Sequence, residues 1–95
     1  MKELSPDETL IEGQWLFDGK EVTGDDACER IKWLVENILE ELAVSKQYGA
    51  WETLYKDPKD NRQWVHYYPK GEMQGGGPPA LKVISHEEAH EKFNV

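Results

Sequence analysis

The stretch between residues 51 and 68 constrains the fold most. Trp51-Glu52-Thr53-Leu54-Tyr55 and Gln63-Trp64-Val65-His66-Tyr67-Tyr68 are rich in aromatic and β-branched residues, and both alternate with the period of two that a pleated strand imposes. Asp57-Pro58-Lys59-Asp60-Asn61 between them is a turn, because Pro58 fixes φ and Asn61 tolerates the left-handed region. Two strands joined so tightly pair antiparallel, so the chain is built around an antiparallel sheet. Residues 80–84 supply a further short strand after a loop that contains Gly75-Gly76-Gly77-Pro78-Pro79.

Upstream, Ile11-Glu12-Gly13-Gln14-Trp15-Leu16-Phe17 reads as one half-buried strand with Ile11, Trp15 and Phe17 on its inner face. Asp18-Gly19 is a hairpin signal, and residues 20–23 return antiparallel. Ser5 and Pro6 suit a short capped turn before this strand.

Gly24-Asp25-Asp26 opens the long helix, with Asp25 placed to cap and acidic residues suiting the positive end of the helix dipole. The spacing predicts that it runs to about Ser45. Ala27, Ile31, Leu34, Val35, Ile38 and Leu42 then form one apolar stripe, with Cys28 and Leu39 at its edge. Glu29, Glu36 and Glu40 occupy the opposite side together with Trp33, which lies about 160° from Ile31 and is expected to be largely solvated. Ser85-His86-Glu87-Glu88 has the form of a capping box and starts a terminal helix ending near Phe93.

The fold class is therefore α+β: an antiparallel sheet of four to five strands, one long helix packed on one face, and a short C-terminal helix. The order is strand, strand, long helix, three strands, terminal helix, in one domain over residues 1–95. Trp15, Trp51 or Trp64 is expected in or near the core. Nineteen acidic against eleven basic residues give a formal charge of -8, a field that repels nucleic acid and anionic membrane and steers in a basic protein surface. One cysteine, Cys28, cannot form an internal disulfide and is expected to be inert packing. With neither an apolar run of about 18 residues nor a leader-like start, the expected location is the cytoplasm.

The chemistry-bearing motifs are few. His86-Glu87-Glu88-Ala89-His90 matches H-E-x-x-H, which in zinc proteases sets two ligands one turn apart beside a general base. That site needs a third ligand and a buried helix, whereas this helix is short and charged on most sides, so no metal ligand is assigned. Gly75-Gly76-Gly77 does not precede a helix, and Pro78-Pro79 removes amide donors, which excludes a phosphate cradle and leaves a rigid loop. The three glycines are expected to adopt conformations closed to side chains. His66 is expected to pack within its strand. No nucleophile, base and orienting group assemble, so no catalytic residue and no cofactor are assigned.

Gly49-Ala50-Trp51-Glu52-Thr53-Leu54-Tyr55-Lys56-Asp57-Pro58, followed by Trp64, Tyr67-Tyr68-Pro69, Glu72-Met73 and the Gly75-to-Pro79 run, resembles the immunity protein 27 family of bacterial polymorphic toxin systems. The likeness extends to residues 11–15, Arg30-Ile31 and Ile84-Ser85, and so spans nearly the whole chain. It departs at Gln74, where the family often has His, and at Asn61, where it often has Gly. The resemblance implies a non-catalytic, stoichiometric inhibitor that binds and neutralises a cognate toxin domain in the producing cell. Glu29, Trp33, Glu36, Glu40, Glu72, Gly75, Gly76 and Gly77 are the expected partner-binding residues, against a toxin surface that is basic where it makes contact. The alternatives are a small metal-dependent hydrolase using His86, Glu87 and His90, and a generic acidic adaptor.

Overall fold

In the computed structural model, which describes residues 2–17, 19–45, 52–69 and 77–94, the central hairpin follows the alternation. Strands β5 (Glu52–Lys56) and β6 (Gln63–Tyr67) pair antiparallel, with Leu54 opposite Val65 and Tyr55 opposite Trp64. Their turn is held by its own side chains. The buried Asp57 carboxylate accepts from the Lys59 amide at 2.9 Å, the Asp57 carbonyl accepts from the Asn61 amide at 2.7 Å, and Asn61 takes φ 62. Two strands flank this pair: β7 (Ala80–Ile84) beside β6, and β4 (Glu40–Ser45) beside β5. With β1 (Leu10–Glu12) outside β7, the sheet order is β1-β7-β6-β5-β4, all neighbours antiparallel.

Because neighbouring residues in a strand face opposite ways, Trp64 and Val65 seed two separate cores. On one face Ile11, Trp64 and Leu81 meet Ile31 and Leu34 of α1 (Asp26–Asn37), with Leu4 and Leu39 completing the cluster. On the other face Leu54, Val65 and Ile84 pack with Ala89 of α2 (His86–Phe93), joined by Ala43, Tyr67 and Phe93. The sheet thus carries one helix on each side. Trp64 is the aromatic centre of the larger core, and its Nε1 is a buried donor with no acceptor among the described residues.

Both helices start where their caps predict. The Asp25 carboxylate accepts from the Cys28 amide at 2.9 Å, and Ser85 Oγ accepts from the Glu88 amide at 3.1 Å. The end of α1 corrects the sequence reading, since the helix stops at Asn37 and not near Ser45. Asn37 Nδ2 turns back to the Trp33 carbonyl at 3.0 Å, and both the Ile38 and Leu39 amides donate to the Leu34 carbonyl. Residues 40–45 then join the sheet as β4, where pairing with β5 overrides a helical spacing that short apolar runs fit equally well. The register slips between Glu41 and Ala43, and Leu42, expected on the buried stripe, is exposed.

Residues 11–17 are not one strand. They break at Gly13-Gln14, so that β1 joins the main sheet while β2 (Trp15–Phe17) leaves it and pairs only with β3 (Val22–Gly24) in a separate two-stranded hairpin. Among the described residues, three short strands therefore precede α1 and four follow it. The reason for the break is close approach. A Cβ on Gly13 would collide with Cys28 Sγ and lie 2.9 Å from the Pro79 carbonyl oxygen, which also accepts the Gly13 amide at 2.8 Å. Ile11 stays in the core, whereas Trp15 and Phe17 do not.

Residues 2–8 form a strap tied down by two arginines. Arg30 donates to the carbonyls of Lys2 and Glu3 at 3.0 and 2.9 Å and pairs with the Glu8 carboxylate at 2.7 Å. Arg62, held by Asp60 at 2.6 Å, donates to the carbonyls of Glu8 and Ser5 and stacks 5.0 Å from the Trp64 ring centroid. Between these clamps Leu4 is buried in the larger core.

Candidate functional site

The outer face of α1 brings together three of the four expected helix residues. Glu29, Trp33 and Glu36 stand at i, i+4 and i+7, and with Lys32 and Asn37 they line one shallow surface depression. Both glutamates are exposed, but Trp33 is half-buried and packs against the larger core, which corrects the expectation of a largely solvated indole. Arg30, three residues before Trp33 and so its neighbour on the helix surface, draws residues 2–8 along that flank of α1. Glu40 is not on this face at all: it lies in β4, opposite Lys56.

The loop residues divide differently. Gly77 is buried and takes φ 73, the left-handed conformation expected of it, while Glu72, Gly75 and Gly76 lie outside the described residues. Trp51 lies outside them too.

The H-E-x-x-H residues sit on the solvent side of α2. His86, Glu87 and His90 are all exposed, and with Glu91 they line an open depression. Among the described residues no group of three or more His, Cys, Asp and Glu is placed to hold a metal. His66 is half-buried on β6 between two aromatic rings, edge-on to Tyr55 at 6.4 Å and to Tyr68 at 5.3 Å, and burial pushes its pKa down. Cys28 donates its thiol to the Gln14 carbonyl at 3.4 Å, and burial pushes that thiol up. None of these groups forms a nucleophile and base pair.

The expected hairpin forms as β2–β3, but the sequence reading missed that it stands apart from the main sheet with its apolar residues uncovered. All residues of its two strands are exposed, including Phe17 at 72%, Leu16 at 54%, Val22 at 51% and Trp15 at 36%. A signal was present in the sequence: Trp15-Leu16-Phe17 is apolar on both faces of a strand, which a half-buried strand has no use for.

The hairpin's root is tied to the first turn of α1. The Gln14 carbonyl accepts from the Asp25 amide at 2.9 Å and from Cys28 Sγ, and a Cβ on Gly24 would lie 2.8 Å from Cys28 Cβ. The first turn of α1 therefore grips both strands of the hairpin where they leave the body of the protein. Among the described residues no helix is long and apolar enough to cross a membrane.

Among the described residues, Cys28 lies on α1, His66 on β6, and His86 and His90 on α2. Neither curated proteins nor solved structures gave a match. A family model does match: that of immunity protein 27, over residues 17–85, from the last residue of β2 to the cap of α2. That span is more than half of the sequence, and the chain belongs to the immunity protein 27 family.

Proposed function

We propose that this protein binds a cognate toxin domain of a bacterial polymorphic toxin system, inside the cell that makes both, and blocks it by covering its active site or an essential surface. The inhibition is stoichiometric and involves no chemistry by the inhibitor. The observation that carries this reading is the family match across residues 17–85. The charge of -8 supports it, because an acidic surface speeds encounter with a basic one. Glu29 and Glu36, exposed on α1, supply charge for that approach, and Trp33 between them supplies apolar contact.

The hydrolase alternative has little to build on, because His86, Glu87 and His90 lie at exposed positions of a two-turn helix. Co-expression with the protein encoded immediately upstream tests the proposal. Growth rescue together with co-purification is the expected result, and absence of both rejects it. Co-purification with unrelated proteins in place of a toxin would leave the acidic adaptor as the better description.

A further inference from the structure

We infer that the β2–β3 hairpin is the apolar anchor of the complex, inserting Phe17, with Trp15 and Val22 around it, into an apolar pocket rimmed by lysine and arginine on the partner protein. This rests on the reading of the chain as a toxin-binding protein and goes beyond it by naming the surface and the chemistry of its counterpart.

The register places Phe17 opposite Val22 and Trp15 opposite Gly24, so these three side chains share one face of the ribbon, while Leu16 opposite Thr23 projects from the other. A two-stranded ribbon without a third strand or a covering helix is marginal in water, and this one exposes apolar groups on both faces. Phe17, Leu16 and Val22 are more exposed than Leu10, Leu42, Val44 and Tyr68, the large apolar residues at the surface elsewhere among the described residues, and a contiguous patch of this kind marks an interaction site. The root held by Gln14, Asp25 and Cys28 sets where the two strands leave the protein, which removes part of the ordering cost of docking.

Charge identifies the occupant. Among the described residues between 12 and 29 there are five carboxylates, at Glu12, Glu21, Asp25, Asp26 and Glu29, against the single lysine Lys20. An apolar centre with an acidic surround fits a pocket with a cationic rim. It disfavours a second copy of this chain, since that contact would set acidic surround against acidic surround on two molecules of charge -8.

The test uses the full chain and the purified protein encoded immediately upstream, with binding, melting temperature and solution mass measured for wild type and Phe17→Ser. The expected result is an unchanged melting temperature, an unchanged monomer mass, and affinity weakened about thirtyfold or more, as for a central aromatic anchor. Wild-type association should also slow as salt is raised. Four results overturn the inference. Equal affinity of Phe17→Ser and wild type shows that the anchor lies elsewhere, while the toxin-binding reading stands. A steep fall in melting temperature shows that Phe17 is packed within the fold. A change from dimer to monomer in Phe17→Ser shows that the hairpin joins copies of this chain. No binding by the wild type, with no growth rescue, removes the toxin-binding reading itself.

Discussion

Arg30 on α1 and Glu8 at the end of the N-terminal strap form a 2.7 Å ion pair that joins two elements 22 residues apart. The Arg30 guanidinium, helped by the amide and hydroxyl of Ser5, holds the Glu8 carboxyl down to about 2 from an ordinary 4.5. The strap matters because Leu4 within it is part of the larger core.

A depressed carboxylate stabilises the fold fully above its unfolded pKa, and that contribution is lost as pH falls through the folded value. Glu8→Gln is therefore expected to lower stability at neutral pH by about 1 kcal/mol, the upper range for a partly exposed pair. The gap from wild type should close as pH drops from above 4.5 toward 2. Urea unfolding across that range checks it, and a gap independent of pH would contradict the ion pair's role.

Gly13→Ala places a methyl against Cys28 Sγ and the Pro79 carbonyl, where backbone on one side cannot yield. The expected loss is about 1 to 3 kcal/mol, as for overpacking. Adding Cys28→Ala should recover part of it, because one of the two obstructions is gone. A double mutant whose losses simply add would show that the two sites are not in contact.

Half-burial changes what Trp33→Ala should do. It is expected to cost about 1 to 3 kcal/mol of stability, less than the roughly 3 to 5 for a fully buried aromatic. Glu36→Lys, at an exposed position in the same depression, should leave stability unchanged and slow toxin association, most clearly at low salt. Stopped-flow binding and thermal melts separate the two effects.

Parts of this structure follow from neighbours in sequence, and those parts were legible. Asn61 in the left-handed region, Ser85 capping α2 and the pairing of residues 52–56 with 63–67 each depend on a few adjacent residues. Glu29, Trp33 and Glu36 on one side of α1 followed from helical spacing alone. The end of α1 did not, because residues 40–45 fit either period and their pairing with β5 decided between them. Nor did the separation of β1 from β2, which depends on Cys28 and Pro79 reaching Gly13 from 15 and 66 residues away in sequence. Alternation marks a face as apolar; it does not say whether anything will cover it, and so Trp15 and Phe17, expected on an inner face, stand exposed.

If His86, Glu87 and His90 play no metal-binding part, chelation should change neither the melting temperature nor protection against the toxin. Both are measured with and without EDTA, followed by added zinc. A loss of either that zinc restores would make α2 a metal site and reopen the hydrolase reading.

The central claim is stoichiometric inhibition, and a titration of the toxin's activity with the purified chain tests it most directly. With toxin held well above the dissociation constant, residual activity should fall in a straight line and vanish at one inhibitor per toxin. Complete inhibition at a small fraction of equivalence would mean that the protein turns over as an enzyme, and full toxin activity at a large excess would mean that it does not bind the toxin; either result contradicts the account.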